Sequence, residues 1–377
     1  MALASRHTSQ ISTYPSAQMK IGIITQPLRN NYGGLLQNFA LQTALRTMGH
    51  TPITFDHFWV PDTFKGRLYY RIKFLTERKS GYGTLLGIWP AIQTFKQRHI
   101  NFDLDFATES GYRRLERRHK IDMLLLGSDQ VWRPRYVINM AMDFGAYASV
   151  PVASYAASLG VDNWEFTPQM TADARRWAQR IKAVSVREAS AIPLLREHLG
   201  INDITHVLDP TMLLTAAHYR ELYPRAHDGA PHPKHLFAYI LDDSPAADAI
   251  LSDIAAKTGL TTLRSSIVKT SCSSTPPLSP EQWLQGIDDA AVVVCDSYHG
   301  AVFSIIYHRP FWVLPNKKRG NTRITGLLHM FGLEDRLLTS AQEPAGGWLR
   351  PIDWAPVNER MRHWRSLSYD YLSAITR

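Results

Sequence analysis

Residues 292–300 read VVVCDSYHG, and residues 301–306 continue as AVFSII. The four apolar residues at the start of this stretch predict a buried strand, and the apolar run after the glycine predicts a helix. In an open α/β sheet, ligands bind where strands end and helices begin. The polar quartet DSYH therefore marks the expected site. His299 is the first candidate for chemistry, because histidine is the side chain whose proton moves most easily near neutral pH.

The same alternation of strand and helix recurs along the chain. Residues 19–25 (MKIGIIT) predict a strand, a loop follows at 30–34, and apolar positions at helical spacing over 35–45 predict a helix. With a strand at 51–56 they form a βαβ unit, which implies a parallel sheet. Further strands are predicted at 121–126, 151–155, 183–186, 205–208, 236–241, 261–264, 291–295 and 311–314, and further helices at 171–180, 188–200, 245–258 and 357–377.

The length of 377 residues predicts two domains. The Pro/Gly-rich segment 224–234 is the best linker candidate. We expect an α/β chain of two Rossmann-like doubly wound domains, GT-B-like, with a cleft between their strand ends. The predicted organisation is a disordered leader over 1–18, a first domain over 19–223 with a basic helical insertion at 57–120, a second domain over 235–350 and a C-terminal helix over 351–377.

The composition excludes several classes of protein. Residues 1–18 lack the apolar region of a signal peptide, and no stretch approaches the roughly 18 apolar residues of a transmembrane helix. Of the two cysteines, Cys272 and Cys295, the second lies in a predicted buried strand. A disulfide is therefore not expected, which favours a cytoplasmic location. The His and Asp residues are scattered without metal-ligand spacing, so we expect no metal site.

The formal net charge of +9 lies in two segments, with +5 in residues 65–79 and +4 in residues 111–120. Nucleic acid is one possible partner for such patches. The first segment, however, interleaves basic with aromatic residues, which also suits an anionic membrane surface. We expect no nucleic acid and a peripheral membrane contact through 65–79. The alternative that the residues leave open is a solvated amphipathic helix packed on the domain.

Basic residues follow a strand or open a helix at two further places. Arg187 comes directly after the strand 183–186 and either binds an anion or pairs with Glu188 or another acid. The loop 316–323 opens a helix, and the forks of its arginines match phosphate and carboxylate oxygens. The candidates in this loop are Arg323, at the helix start, and Arg319, whereas Lys317 and Lys318 are expected to be solvated.

Two more strand ends carry candidate binding residues. The glycine pair in residues 31–34 (NYGG) would let the backbone approach a ligand closely, although it is not a dinucleotide-binding motif. Residues 127–132 (GSDQVW) place a carboxylate, an amide and an indole at one strand end, which suits sugar recognition. The alternative for Asp129 is capping of the next turn. The candidates are Asn31, Tyr32, Gly33, Asp129, Gln130 and Trp132.

Taken in order, these segments resemble the polysaccharide pyruvyl transferase family. The resemblance runs from about residue 20 to 335 and is weak across 57–120. It implies a GT-B-like fold and transfer of pyruvate from phosphoenolpyruvate onto a sugar as a ketal. The matching segments are NYGG with LQ at 31–37, GSDQVW at 127–132, SYAASLG at 154–160, SVRE at 185–188, LDPT at 208–211, DSYHG at 296–300 and RGNTR at 319–323.

The resemblance also implies roles for individual residues. Arg187 and His299 would contact the donor in the second domain, with His299 as general acid and base. Some relatives carry an arginine two residues before this histidine, where the chain has Ser297, and Arg323 or Arg319 can substitute for it. The implied donor-binding set is Arg187, Arg323, Arg319, Ser297 and Gly300.

The implied partners are phosphoenolpyruvate as co-substrate, without a cofactor, and a sugar acceptor of an exopolysaccharide or cell-envelope precursor. A lipid-linked acceptor would place the enzyme at the inner face of the membrane. Two alternatives remain compatible with the residues. One is a GT-B-type glycosyltransferase that uses a nucleotide sugar, and the other is a non-catalytic glycan-binding or membrane-binding protein.

Overall fold

The structure, a computed structural model, describes residues 18–59, 65, 68–70, 72, 73, 88–224, 235–265, 277–316 and 322–377. Over these residues strands and helices alternate, and the strands form two sheets of seven and four strands. Every strand pairing in both sheets is parallel. The prediction of an α/β chain with two Rossmann-like units is confirmed.

The first sheet consists of β1 (Lys20–Ile24), β2 (Thr51–Phe58), β3 (Phe102–Phe106), β4 (Met123–Leu126), β5 (Val152–Ser154), β6 (Ile181–Val186) and β7 (Ile204–His206). Their order is β3-β2-β1-β4-β5-β6-β7. The chain therefore winds outward in both directions from the β1–β4 pair, which is a topological switch point where a ligand can enter between the strand ends. The two central strands are apolar apart from the exposed Lys20 at the start of β1, as expected where helices cover both faces of a sheet.

The second sheet consists of β8 (His235–Tyr239), β9 (Thr262–Ser265), β10 (Ala290–Cys295) and β11 (Phe311–Val313). Their order is β11-β10-β8-β9, so the switch point lies between β8 and β10. The predicted strand at 291–295 is thus central, and the sequence DSYHG follows it at the switch point. Cys295 is buried at the end of β10 and is a free thiol.

Helices connect the strands and cover the sheets. The first of them begins at Tyr32 rather than at 35, because the side chain of Asn31 accepts the backbone N–H of Gly34 at 3.2 Å and caps the helix. The predicted loop over 30–34 is therefore too long, because residues 32–34 already belong to α1. The helices are α1 (Tyr32–Thr47), α2 (Pro90–His99), α3 (Glu109–His119), α4 (Met140–Asp143), α5 (Pro168–Ala178), α6 (Ala191–Leu199), α7 (Ala216–Arg220), α8 (Pro245–Thr258), α9 (Pro280–Asp288), α10 (Tyr298–Ile306), α11 (Thr322–Phe331) and α12 (Trp354–Ile375), with 3-10 turns at Pro210–Leu213 and Glu334–Arg336.

The described residues of the segment 57–120 include the predicted helical structure, in α2 and α3, and also one strand that the sequence did not predict. This is the edge strand β3, which pairs with β2 in parallel. The residues of β3 read FDLDF, and its central Leu104 is buried while the two Phe residues at its ends are half-buried. This alternation of apolar and acidic residues has the period of two that marks a strand with one covered face.

The C-terminal helix α12 joins the two sheets. Its first half packs Val357 and Met361 into the core of the second sheet. Farther along, Ser368 accepts the backbone N–H of Leu208 at 2.9 Å, and the Tyr371 hydroxyl donates to the carbonyl of Ser154 at 2.8 Å. The helix thus crosses from one sheet to the other and fixes their strand ends face to face.

Some sequence predictions fall outside the described residues. They concern the leader over 1–17, most of the basic segment 65–79, the linker over 225–234, Cys272, Lys317, Lys318 and Arg319.

Candidate active site

The strand ends of the two sheets face each other across a cavity of about 300 Å³. Its walls come from the ends of β1 and β4 on one side and of β8 and β10 on the other, with the start of α11 at the rim. The lining residues are Asn30, Asn31, Gly33, Asp129, Gln130, Tyr239, Leu241, Asp296, Ser297, Tyr298, His299, Arg323 and Ile324.

The cavity brings together candidates that lie far apart in the sequence. Asn31 and Gly33 begin α1, Asp129 and Gln130 follow β4, Ser297 and His299 follow β10, and Arg323 begins α11. Carboxyl ends of parallel strands meet at one edge of a sheet, which is why predictions made one strand at a time converge here.

The imidazole of His299 lies against Gly33 of the opposite sheet. A methyl group added at Gly33 would overlap the ring, and Nδ1 is the ring atom nearest to it. Only a glycine leaves this space, so the first turn of α1 and the histidine at the start of α10 meet at van der Waals distance. Nδ1 of His299 therefore faces Gly33, and both residues line the cavity.

The other ring nitrogen of His299 faces Asp209. Nε2 lies 3.5 Å from Oδ2 of Asp209, an ion-pair distance without the alignment of a good hydrogen bond. Oδ1 of Asp209 accepts the backbone N–H and the hydroxyl of Thr211 at 2.9 and 2.6 Å. The carboxylate is therefore fixed by its own turn and can orient the imidazole.

Arg187 lies behind this pair and has a fully buried side chain. Its Nη1 donates to Asp209 at 2.9 Å, its Nε donates to Glu188 at 2.8 Å, and its guanidinium stacks 4.6 Å from the centre of the Tyr298 ring. The structure shows Arg187 paired with acids, which is one of the two alternatives that the sequence left open. Direct contact of Arg187 with a donor stays a prediction.

The groups around Asp209 favour the ionised form of its carboxyl group. Burial by itself would raise the pKa of Asp209, but the nearby imidazole of His299, the charge of Arg187 and the hydrogen bond from Thr211 hold it well below its usual value. A carboxyl with a folded pKa below the unfolded value contributes stability at pH values above about 4, and that stability is lost as the pH falls toward the folded pKa.

The substitution Asp209→Asn is expected to lower the free energy of unfolding by about 3 kcal/mol near pH 7, because it removes one partner of a buried ion pair. The difference from wild type should shrink as the pH falls below about 4, where wild type loses the same contribution. Urea unfolding across this pH range measures it. Asp370→Asn, at an exposed site on α12, is the control and should change little. A pH-independent difference for Asp209→Asn would contradict the assigned ion pair.

Three helices begin at the cavity and direct their positive ends toward it. They are α1, capped by Asn31, α10, capped by Ser297, and α11, which carries Arg323 in its first turn. Helix N-termini and arginine forks both favour anions. Burial, together with the nearby charge of Arg187, lowers the pKa of Arg323. An anion bound beside both arginines would offset this repulsion.

Three candidates do not face the cavity. Trp132 is fully buried, stacks on Phe144 at 5.3 Å between ring centres and donates its indole N–H to a backbone carbonyl, so it cannot stack on a sugar. Tyr32 is likewise fully buried among core aromatics, and its hydroxyl donates to a backbone carbonyl. Gly300 is buried, and its N–H is bound by the hydroxyl of Ser297 at 3.0 Å. None of these three residues lines the cavity, so ligand contact by them stays a prediction without support from the site geometry.

The sequence missed residues that shape the site. Asp209 was named only as part of the segment LDPT at 208–211, without a role, and no local pattern indicates that it meets a histidine 90 positions later. The carboxylate of Asp296, after β10, accepts the backbone N–H groups of Leu241 and Asp242, and it thereby joins the end of β10 to the loop after β8. The DP turn at Asp209-Pro210, a capping pattern at a strand end, was the one available signal.

The part of the chain that the structure describes shows neither a metal-binding cluster nor a membrane-spanning helix. There, no cluster of three or more His, Cys, Asp or Glu side chains could hold a metal ion. Over the same residues, no helix is both long enough and apolar enough to span a bilayer. The expectation that the protein uses no cofactor stays a prediction.

Comparison with known proteins places these features in context. A sequence model of the polysaccharide pyruvyl transferase family matches residues 31–318. No curated protein matches the chain. Among solved structures, a glycosyltransferase from Rickettsia africae ESF-5 is 10% identical, with a TM-score of 0.52 over 96% of this chain and 98% of that one. The co-structure of S. aureus MnaA with UDP is 12% identical, with a TM-score of 0.51 over 93% of this chain and 91% of that one. At these identities the likeness shows the fold, which is GT-B-like as predicted.

Proposed function

Because the chain belongs to the polysaccharide pyruvyl transferase family, we propose that it transfers pyruvate from phosphoenolpyruvate to a sugar of a polysaccharide or glycoconjugate precursor as a ketal. The observation that carries this proposal is the cavity in which His299 lies beside Arg323 and the starts of three helices. It combines a group that can transfer protons with an environment that attracts anions.

The donor is held by its two anionic groups. Phosphoenolpyruvate carries a phosphate and a carboxylate, which match the positive helix ends and the fork of Arg323. Ser297 stands where some relatives have an arginine, and its hydroxyl is engaged in capping α10. The missing charge is therefore supplied by Arg323 from the next helix. Arg187 contributes its charge from behind Tyr298.

His299 moves protons between the donor and the acceptor. A proton added to C3 of the enol makes C2 electrophilic, and the two sugar hydroxyls form bonds to C2 as the C2–O bond to phosphate breaks. Of the two hydroxyl protons released, one balances the proton delivered to C3 and the other leaves with phosphate. Nδ1 of His299 performs these transfers, while Asp209 holds Nε2 and stabilises the imidazolium.

The acceptor sugar lies on the side of the first sheet. Asn31, Asp129 and Gln130 offer amide and carboxylate groups to its hydroxyls. Asp129 adopts a φ of 71°, a left-handed conformation that a non-glycine residue adopts mainly where the surroundings enforce it. This backbone places a carboxylate at the end of β4, within the cavity wall. We propose that the acceptor is lipid-linked.

The substitution Arg323→Met is expected to raise KM for phosphoenolpyruvate by about 10- to 100-fold, the value of a charged hydrogen-bonding pair. The change removes attraction to Glu188 and Asp129 as well as repulsion from Arg187, so thermal melting of the variant accompanies the kinetics. Steady-state kinetics with varied phosphoenolpyruvate measure this KM. Arg323→Lys keeps the charge and loses the guanidinium fork, so its KM should lie between those of wild type and Arg323→Met. An unchanged KM for the donor would remove Arg323 from the donor site.

The proposed reaction is tested by incubating the purified protein with phosphoenolpyruvate and a panel of sugars. The expected result is a sugar product heavier by the mass of pyruvate minus water, with one phosphate released for each product formed. Thermal stabilisation by phosphoenolpyruvate should accompany it. Stabilisation by a nucleoside diphosphate sugar instead, with transfer of its sugar, would replace the proposal by glycosyl transfer.

A further inference from the structure

A cluster of exposed apolar side chains lies beyond the end of β2. Eight large hydrophobic residues are exposed among the residues that the structure describes, and four of them fall within 59–72. They form what we term the exposed stripe: Trp59, Leu68, Tyr69 and Ile72, with 60, 48, 55 and 55% of their surface accessible. Exposed apolar side chains that cluster in this way mark interaction sites, whereas scattered ones do not.

Three members of the stripe, Leu68, Tyr69 and Ile72, lie on one face of a helix, and Trp59 directly follows β2. The described residues 65, 68–70, 72 and 73 are helical, and positions 65, 68, 69 and 72 have the spacing of a single helix face. Tyr70 points the other way and packs against Phe58 at the end of β2, with ring centres 6.1 Å apart. The helix is therefore anchored to the first sheet by one side while Leu68, Tyr69 and Ile72 face outward.

The sequence that contains the helical part of the stripe is basic. Residues 65–79 contain six Lys or Arg and one Glu, and Lys65 is exposed on the same helix face. Interfaces between proteins are depleted of lysine, whereas helices that lie on anionic bilayers combine lysine and arginine with tryptophan, tyrosine and leucine. The composition therefore favours a lipid surface over a protein partner.

The stripe is also connected to the active cavity. Nη2 of Arg29 donates to the carbonyl of His57 at 2.9 Å, and its Nη1 pairs with Asp56 at 3.0 Å. The next residue after Arg29, Asn30, lines the cavity, and Trp59 follows two residues after His57. These contacts of Arg29 thus join the cavity wall at Asn30 to Trp59 at the start of the stripe, on the same edge of the first sheet.

We propose that the exposed stripe docks on an anionic lipid bilayer and holds the mouth of the cavity at the membrane surface. The apolar side chains enter the headgroup region, and the surrounding basic residues bind anionic headgroups. That the docked cavity meets a lipid-linked acceptor rests on the proposed function, whereas the docking itself does not.

Vesicle sedimentation with the full chain tests the docking. Wild type should sediment with vesicles of mixed phosphatidylglycerol and phosphatidylcholine, less with phosphatidylcholine alone, and less as salt is raised. The triple variant Leu68→Ser/Tyr69→Ser/Ile72→Ser should bind about tenfold or more weakly. The matched control Leu349→Ser/Leu367→Ser, which changes equally exposed residues elsewhere, should bind like wild type.

A second variant keeps the proposal testable if the triple variant does not fold. Lys65→Glu changes only an exposed charge, so it should keep the wild-type melting temperature and weaken binding to the anionic vesicles. Wild-type protein that does not sediment, or a triple variant that binds like wild type, would overturn the proposal. So would concentration-dependent self-association that the triple variant loses, since the stripe would then bind a second copy.

Activity measurements separate this inference from the proposed reaction. If both hold, the triple variant keeps wild-type transfer to a free soluble sugar and loses transfer to the same sugar on a lipid carrier in vesicles. If the reaction is wrong and the docking is right, sedimentation still distinguishes the variants.

Discussion

His299→Ala is expected to lower kcat for pyruvyl transfer by about 10²–10⁴-fold, the contribution of a well-placed general acid and base. The side chain lines the cavity, with Nδ1 facing Gly33 and Nε2 lying 3.5 Å from Oδ2 of Asp209. Its loss leaves the donor site intact, so KM for phosphoenolpyruvate should change much less than kcat. Phosphate release under saturating donor measures the effect.

The control for this variant is His363→Ala, which removes an exposed histidine on α12 and should leave turnover unchanged. Turnover of His299→Ala within a few-fold of wild type would show that another group moves the protons.

Gly33→Ala is expected to lower kcat by about 10²-fold, the cost of moving a catalytic group by about an ångström. The added methyl overlaps the imidazole of His299, so either the ring rotates away or the two sheets move apart. Alanine is otherwise better than glycine inside a helix by about 1 kcal/mol, so the variant should lose activity without losing much stability. Kinetics and thermal melting on the same sample measure both.

Gly326→Ala provides the matched control. Gly326 is also a helical glycine of this region, in α11, but a methyl there meets no atom within 4 Å. This variant should keep its activity and gain slightly in stability. Equal activity of Gly33→Ala and Gly326→Ala would mean that the contact between Gly33 and His299 is not needed for turnover.

Much of the site could be predicted because its residues sit at strand ends. An apolar run that stops at polar residues is visible in sequence, and parallel topology brings such ends together. This is how His299, Asp129, Asn31 and Arg323 were each proposed separately and lie in one cavity. The capping role of Ser297 also follows from its place before a helix.

The sequence failed where the outcome depends on side-chain direction or on long-range pairing. Trp132 and Tyr32 lie next to cavity residues in the chain, but each points into a core that needed a large ring and could satisfy its polar atom. Arg187 pairs with Asp209 and Glu188, and Asp209 in turn meets His299. These pairings depend on the relative placement of two sheets, which no local pattern encodes.

In the proposed reaction the enol carbon of phosphoenolpyruvate gains a proton as its neighbour forms the ketal, and the reaction in D₂O tests this directly. The expected product is a ketal whose methyl group carries one solvent-derived deuteron, seen by NMR and by mass. A product that keeps the methylene double bond, or the absence of any pyruvyl product with donor and sugar present, would contradict it.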